Sequence, residues 1–367
     1  MQLIGTITRF LESIAPPQLQ ESYDNAGLLT GNPAWECRGA LCTLDVTEEV
    51  IDEAISRNVN LVIAHHPIIF KGLKKLTGSG YVERTIIRAI KNDIAIFAIH
   101  TNLDNVISGV NGRIADLLGL TNRKTLLPME GNLVKLISYV PHAQLDQVRD
   151  AIFVAGAGTI GEYGECSFSV AGTGTYKGSQ DTNPFAGTPG IRHEEPETRF
   201  EVILPAYLQE KVVSALISSH PYEEVAYDLV SLKNASDRHG SGLIGKLNEE
   251  LGEEEFLALL KAKFGLTVIR HTPLTGRSIQ NVSVCGGAGS FLLGRAKAAG
   301  AQVYITADMK YHEFFDADRQ LLVCDIGHFE SEQFTVDLLK EVLEEKFPTF
   351  AVLKSAVLTN PVHYYLG

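Results

Sequence analysis

Residues 60–70 have the sequence NLVIAHHPIIF, in which an apolar run typical of a buried strand ends in two histidines and a proline. The apolar part, residues 61–64, predicts a strand that is covered on both faces. Successive strand residues point to opposite faces, so His65 and His66 can approach one point only where the strand ends. Pro67 lacks an amide donor and disfavours a helical residue before it, which predicts that the strand stops there.

The chain on both sides of this stretch alternates between strands and helices. A strand is predicted for ALCTLDV (40–46), and a helix capped by Thr47 for TEEVIDEAISRN (47–58). A second helix, YVERTIIRAIKND (81–93), precedes the strand IAIFAIHTNLDN (94–105). Such alternation, with nearly continuous apolar strands, is typical of a parallel sheet covered by helices.

The order repeats near the C-terminal end, and we interpret residues 40–110 and 281–340 as two copies of one β-α-β-α-β unit. Residues 129–235 differ, because they are dense in Gly, Ser and Thr before the alternating strand TRFEVILP (198–205). The predicted fold class is α/β, with two similar β-α-β units forming mainly parallel sheets with helices on both faces, plus a small inserted α+β domain. The predicted domains are a discontinuous core, 1–128 and 236–367, and an insert, 129–235, with a return linker at 233–245.

Composition excludes several classes of protein. The 367 residues include 45% hydrophobic and 21% charged residues, which is typical of a globular protein of more than one domain. No apolar run is long enough for a membrane helix, and no signal peptide is evident. The five cysteines lack CxxC spacing, which predicts a reducing cytoplasm and no thiolate zinc site. The net charge of −12 disfavours nucleic acid as a partner.

Histidines and carboxylates follow several of the predicted strands. Because ligands of open α/β sheets bind beyond the carboxyl ends of the strands, we expect these side chains to face one cleft. Imidazoles and carboxylates without thiolates suit zinc, manganese, iron or cobalt. The candidates are His65, His66, His100, Asp104, Asp308, His312, His328 and Glu332.

This set is larger than one tetrahedral ion uses, which favours a two-metal centre that activates water. Two ions with two carboxylates and a hydroxide would leave positive charge, so we expect a small anionic substrate. Each histidine alone is more typical of a structural hydrogen bond, but their coincidence in two repeated units favours a shared metal site. Two interpretations remain for Asp308 and His312: they support the metal ligands through hydrogen bonds, or they are merely polar loop residues.

Two further segments have competing interpretations. CGGAGS (285–290) enters a helix and could cradle a phosphate, but it lacks the lysine and spacing of a P-loop, so close backbone packing is an equal alternative. SYDNAGLL (22–29) either places Asp24 and Asn25 in the cleft or forms a turn.

With these residues in place, the chain resembles the Nif3-like dinuclear-metal family, also described as GTP cyclohydrolase 1 type 2 homologs. The resemblance covers nearly the whole chain and is carried by SYDNAGLLTG, LDVTEEVIDEAI, IAHHPIIF, AIHTNLDN, CGGAGSF, ADMKYHEFFDA and GHFESEQ. It implies two divalent ions per chain (zinc, iron or manganese). The implied ligands are His65, His66, Asp104, His328 and Glu332.

The resemblance leaves two candidate catalytic histidines outside that set. His100 is either a sixth ligand or a side chain that supports the ligands. His312 is less well supported, because ADMKYHE departs from the glycine-rich or double-histidine version expected in many relatives. The insert resembles a PII/CutA-like domain, and family members form ring-shaped hexamers, which implies a homohexamer, most simply three dimers around a threefold axis.

The expected function is that of a dinuclear metal-dependent hydrolase, in which metal-activated water attacks a nucleotide-like or phosphorylated substrate. The alternative is a non-catalytic metal-binding regulatory or scaffold protein that senses a ligand through its PII-like insert. A purely oligomeric interaction protein would leave the strand-end histidines unexplained.

Overall fold

The structure is a computed structural model that describes residues 2–365. It has a mixed α/β fold with several sheets, and its chain divides into two units. The first unit combines Met1–Pro128 with Arg238–Gly367, and the second is Met129–Asp237.

The first part of the chain, up to residue 128, alternates strands and helices. The hydroxyl of Thr47 accepts a hydrogen bond from the Val50 amide at the start of the second helix, which confirms the predicted cap. The elements are β1 (Gln2–Leu3), α1 (Ile4–Ile14), β2 (Gly27–Thr30), β3 (Glu36–Cys37), β4 (Ala40–Thr43), α2 (Glu48–Ser56), β5 (Leu61–Ala64), α3 (Tyr81–Lys91), β6 (Ala95–Ala98), α4 (Thr101–Asp104), α5 (Val110–Leu117) and β7 (Thr121–Pro128).

Residues 129–237 hold four strands and two α-helices, and the remainder of the chain returns to the first unit. The second unit has β8 (Leu133–Pro141), α6 (Leu145–Val154), β9 (Ser167–Tyr176), β10 (His193–Pro205), α7 (Gln209–Ser219) and β11 (Tyr227–Ser231). The returning chain has β12 (Gly240–Leu251), α8 (Glu253–Phe264), β13 (Arg270–His271), β14 (Ile279–Ala288), α9 (Leu293–Ala298), β15 (Val303–Ala307), β16 (Leu322–Asp325), α10 (His328–Glu332), α11 (Thr335–Lys346) and β17 (Val352–Lys354).

A five-stranded sheet in the first unit has the order β17-β4-β5-β6-β2. The strands β17, β4, β5 and β6 are parallel neighbours, and β2 is antiparallel at the edge. All four residues of β5 are buried, as its apolar sequence predicts. Helices α2 and α3 contribute Val50, Ile51 and Ile86 to a core that also contains Val62 and Ile96. Burial on both faces explains the continuous apolar strands.

A six-stranded sheet in the same unit has the order β13-β16-β15-β14-β12-β7. Its strands β14, β15 and β16 are parallel, whereas the other three pairings are antiparallel. The prediction of a mainly parallel sheet is therefore wrong here. The reason is that β7 and β12 extend the sheet as an antiparallel pair, with Gly240 opposite Pro128. Residues 240–245, expected to be linker, thus begin a strand.

The second unit has the element order β-α-β-β-α-β and one antiparallel sheet, β11-β8-β10-β9. This order is the split β-α-β arrangement. The predicted strand TRFEVILP lies in β10, whose alternate residues Phe200, Val202 and Leu204 pack in a core with residues of α6 and α7. The face with this core is the inner face of the sheet.

Two observations concern the whole described chain. Within residues 2–365, no helix combines the length and apolar character that a membrane-spanning segment needs. All five cysteines are free thiols, and four of them are buried. The cytoplasmic location stays a prediction.

Candidate metal centre

The histidines and acids that follow the parallel strands of the first unit line a cavity of about 1000 Å³. The cavity is therefore at the carboxyl ends of those strands, where the sequence predicts a site. Asp45 follows β4, His66 follows β5, His100 follows β6, Asp308 follows β15 and His328 follows β16.

The adjacent residues His65 and His66 are each held through Nδ1. His65 is fully buried, and its Nδ1 lies 2.9 Å from the carbonyl oxygen of Ile99. The Nδ1 of His66 lies 2.8 Å from Oδ1 of Asp45. Because both partners are acceptors, Nδ1 of each ring carries a hydrogen and Nε2 is the atom left to face the other side chains of the cluster.

The other two cavity histidines repeat this arrangement. Nδ1 of His100 lies 2.8 Å from Oδ1 of Asp24, whose second oxygen accepts from the Thr101 amide at 3.0 Å. Nδ1 of His328 lies 2.7 Å from Oδ2 of Asp308. Three of the four imidazoles therefore have a carboxylate behind them, which is the usual support of a metal-binding histidine.

Glu332 lies at the centre of the cluster and is 3% exposed. Its Oε2 is 2.9 Å from Nε2 of His66 and 3.1 Å from Nε2 of His328. These two Nε2 atoms are only 3.3 Å apart. Because both nitrogens face the same carboxylate oxygen, the arrangement requires positive charge between them, either as protons or as a metal cation.

Two buried atoms beside Glu332 have no hydrogen-bond partner among residues 2–365. They are Nε2 of His65 and Oδ1 of Asp104, which lie 3.6 Å apart. A buried polar atom without a partner is costly, and a cation bound by both would satisfy both. The residues therefore fit a divalent metal ion.

The metal-free cluster has strongly shifted pKa values. Burial disfavours the imidazolium of His66, but hydrogen bonds to Asp45 and Glu332 outweigh it and raise the pKa to about 10. The same competition, with Glu332 and Asp308 as partners, raises the pKa of His328 to about 9. Burial opposes ionisation of Glu332, yet hydrogen bonds from His328 and His66 hold the pKa of Glu332 well below its ordinary value. Burial, followed by the Glu332 charge, raises the pKa of Asp104.

Candidate ligand atoms form two groups, each with all atoms within 4.8 Å of one another. One is His65, His66 and His100, and the other is His66, His328 and Glu332. His66 belongs to both groups, and either group could hold a metal ion. Asp104 stands outside both groups but within 3.6 Å of His65.

The glycine turn after β14 permits the approach of Glu332. Gly287 has φ +63°, and a Cβ there would lie 2.4 Å from Oε1 of Glu332. The amides of Gly286 and Gly287 donate to the side chains of Asn111 and Ser331, both at 3.0 Å. These amides are therefore engaged within the protein, which favours the close-packing interpretation of CGGAGS over a phosphate cradle.

A family model for Duf34/NIF3 (NGG1p interacting factor 3) matches residues 2–361. The chain belongs to the DUF34/NIF3 family. A GTP cyclohydrolase 1 type 2 homolog of Halalkalibacterium halodurans is 40% identical over 361 residues, with 97% of each chain covered. One of Bacillus subtilis is 38% identical, covering 97% of this chain and 96% of that protein. The crystal structure of a Bacillus cereus protein related to NIF3 is 37% identical, with a TM-score of 0.86 and 99% of both chains covered. The resemblance seen in the sequence is thereby confirmed.

In this DUF34/NIF3 chain, the structure brings together most of the predicted site residues. His65, His66, Asp104, His328 and Glu332 meet in one cluster, with His100 and Asp308 in contact with it. It does not bring in His312, which is exposed on the 3₁₀ segment Tyr311–Ala317 and whose ring contacts Tyr311 and Phe315.

Sequence reasoning missed one supporting carboxylate and left another open. Asp45 follows β4 by two residues, so the rule that identified His65 and His66 also applied to it. Asp24 was undecided between the cleft and a turn, and its contact with His100 now places it beside the cluster. No strand ends directly before Asp24, so only tertiary structure assigns it.

Proposed function

We propose that this protein is a dinuclear metal-dependent hydrolase that uses water to cleave a nucleotide-like or phosphorylated substrate. The observation that carries the proposal is the pair of ligand groups at a cavity of about 1000 Å³, because together they offer five side chains, which is more than one tetrahedral ion uses. The name of the relatives, GTP cyclohydrolase 1 type 2 homolog, also supports it. The proposed ligands are His65, His66, Asp104, His328 and Glu332.

The protein's own residues would orient the site before any substrate enters. Asp45, Asp24 and Asp308 hold the Nδ1 hydrogens, which fixes the rings and makes each Nε2 a better donor of electrons. When bound, two divalent ions would lower the pKa of water and stabilise charge on the leaving oxygen. The ring of His100 is centred 5.3 Å from His65, so we propose it as a sixth ligand or as a base beside the ligands.

The charges that line the cavity restrict how an anionic substrate could bind. Among the described residues, only one arginine, Arg270, faces seven carboxylates, so two divalent ions would not make the cavity positive overall. An anionic substrate, which stays a prediction, would therefore need direct contact of its charged group with the ions. The walls also carry aromatic rings on which a heterocycle can stack. The carboxylates belong to Glu21, Asp45, Asp104, Asp308, Asp325, Glu330 and Glu332, and the rings to Tyr23, Phe70, Phe291, Phe329 and Tyr364.

The direct test is an activity screen of the full-length, metal-reconstituted protein against nucleotides including GTP, phosphoesters and short peptides. His65→Ala should lower turnover at least about a hundredfold, because it removes a ligand that no other side chain replaces. His312→Ala is the matched control and should retain activity, since that ring lies outside the cavity. Equal turnover by both variants would contradict the proposed site.

The alternative function, a metal-binding regulatory or scaffold protein, is favoured by a separate cavity in the second unit. Under this alternative, the β-α-β-β-α-β unit is a PII/CutA-like sensor domain, a placement supported by its element order. Tight binding of a small molecule without turnover of any tested substrate would favour this alternative over the hydrolase.

We also propose that the chain forms a homohexamer, most simply three dimers around a threefold axis. Supporting this, β9 is the edge strand of the second unit's sheet and is largely exposed, and exposed edges are commonly covered by symmetric association. Light scattering coupled to size exclusion should give about six times the chain mass of 40.0 kDa. A monomer at micromolar concentration would contradict the assembly.

A further inference from the structure

The second unit contains a cavity of about 650 Å³ that the metal centre does not use. Its residues all lie within 139–226, and its glycine-rich side is formed by β9 and the segment that follows. Among the charged residues of this lining, the buried one is Glu197, on the neighbouring strand β10. Aromatic rings of Tyr139, Tyr176, Phe185 and Tyr222 complete the lining.

Glu197 is only 6% exposed, and its side-chain hydrogen bond comes from one neutral donor. The hydroxyl of Tyr222 donates to Oε1 of Glu197 at 2.6 Å. Burial, and next the Glu197 carboxylate, raise the pKa of Tyr222, so its hydroxyl keeps its proton. Within residues 2–365, no lysine, arginine or histidine forms an ion pair with Glu197. A buried carboxylate without a positive partner is energetically unfavourable, and a bound cation would relieve it.

The second oxygen of Glu197 lies over the glycine strand. A Cβ at Gly174 would be 2.0 Å from this Oε2, so the absent side chain is what allows the carboxylate to occupy that position. A Cβ at Gly172, opposite Glu197 on β9, would contact nothing within 4 Å. The space beside the carboxylate is therefore open.

Three aromatic rings surround the same region. The ring of Tyr222 is centred 5.9 Å from Tyr176 and 6.0 Å from Phe185. The hydroxyl of Tyr176 donates to the carbonyl of Ala186 at 2.8 Å, and the Tyr222 amide donates to His220, so two of the rings are anchored. Ring faces attract cations, and aromatic cages are the usual recognition device for methylated ammonium groups.

Positive side chains at this cavity are Lys177 and Arg199. The guanidinium of Arg199 is paired with Glu201 at 2.9 Å, so its charge is compensated within the sheet. Glu223 and Glu224 add negative charge to the lining. The charge of the cavity lining therefore remains suited to a cation.

We propose that this cavity binds a small molecule through a methylated ammonium group, held by the carboxylate of Glu197 among the rings of Tyr176, Phe185 and Tyr222. A volume of about 650 Å³ is typical of ligand sites and exceeds what the ammonium head fills, so the rest of the ligand occupies the glycine-rich side. The site is independent of the metal centre and of the proposed hydrolysis.

The test uses the full-length protein with choline, and with 3,3-dimethylbutan-1-ol as its neutral isostere. Titration calorimetry or ligand-observed NMR should show choline binding at least about tenfold more tightly, because only choline carries the charge that Glu197 and the rings attract. Equal binding of the two molecules, or no binding of choline at tens of millimolar, would overturn the proposal.

Variants locate the binding site. Glu197→Gln retains an acceptor for Tyr222 but removes the charge, and should weaken choline binding about tenfold. Glu194→Gln makes the same charge change at an exposed position of β10 outside the cavity, and should bind as the unmodified protein does. Phe185→Leu removes a half-exposed ring at little risk to folding and should weaken binding several-fold. Unchanged choline affinity in folded Glu197→Gln or in Phe185→Leu would overturn the assignment.

Discussion

The two cavities each contain a nearly inaccessible glutamate, but the groups that compensate the charge differ. Glu332 in the first unit is 3% exposed and contacts the imidazoles of His66 and His328. Glu197 in the second unit is 6% exposed and contacts one phenolic hydroxyl. An imidazole can exchange a proton for a metal ion at the same nitrogen, whereas the hydroxyl of Tyr222, with its raised pKa, keeps its proton and the aromatic faces offer no lone pair.

Burial of a carboxylate therefore does not by itself specify the chemistry of a cavity. The partners decide whether the missing positive charge is a metal ion or an organic cation. Three carboxylates support the imidazoles of the first cavity, so these rings are fixed in advance of binding. The second cavity presents ring faces and one charge, which suits a ligand that needs no directed coordination bonds.

The largest expected effect is that of Glu332→Ala on metal content. This variant should lose at least one of the two proposed ions, because Glu332 contacts Nε2 of both His66 and His328. Elemental analysis measures the loss, and circular dichroism checks the fold. Glu330→Ala in the same helix is the matched control, since Glu330 contacts Asn360 rather than the histidines. Stoichiometric metal in Glu332→Ala would remove Glu332 from the ligand set.

A smaller effect on metal binding is expected for Gly287→Ala. The added Cβ would displace the Glu332 carboxylate, which should weaken metal binding about tenfold or more. Gly265→Ala is the control, because Gly265 has a similar φ of +66° but open space around its Cβ. Both variants share a backbone cost of about 1 kcal/mol in unfolding free energy. If both retained the same metal affinity, the close approach at Gly287 would have no role in the site.

Glu253 shows a third way to compensate a buried carboxylate, and its removal should affect stability alone. It accepts from the amides of Thr275 and Gly276, both at 2.8 Å. Burial opposes its ionisation, but these hydrogen bonds outweigh burial and lower the pKa. Because the folded pKa lies below the unfolded one, the contribution is present above the unfolded pKa and is lost as pH falls through the folded one.

Glu253→Gln should therefore lower the unfolding free energy by about 1–2 kcal/mol at neutral pH. The difference from the unmodified protein should shrink when urea denaturation is repeated below about pH 4. Glu254→Gln, the exposed neighbour, serves as the control. A gap that stays constant with pH would show that shape, and not charge, is what Glu253 contributes.

The sequence allowed prediction of the parallel strands and of the site's histidines for one physical reason. Strands buried on both faces must be apolar throughout, so a polar residue directly after them marks the carboxyl end, as His65 does after β5. The same rule applied to Asp45 after β4 and was overlooked. Asp24 and His100 are 76 residues apart, and no local pattern encodes their contact.

The mixed six-stranded sheet was missed for a different reason. Strand β12 begins with GSGLIG, a glycine-rich composition that is typical of a linker, and its strand conformation depends on pairing with β7 and β14. Strand propensity is set largely by such tertiary context. The sequence does not predict the burial of Glu197 either, because the alternating pattern of β10 predicts only the face of the sheet on which this residue lies.

The smallest expected effect is that of deleting the second unit on metal binding. Gly240 pairs with Pro128, so the chain ends left by deleting residues 129–237 lie close together, and two glycines can join Pro128 to Arg238 as a short hairpin loop. All five proposed ligands lie outside the deleted segment, so elemental analysis should find unchanged metal content. Choline binding should be lost from the same variant, because the aromatic cavity lies wholly within residues 139–226. Loss of metal from a folded deletion variant would show that the first cavity is not complete within its own unit, and retention of choline binding would place the ammonium site elsewhere.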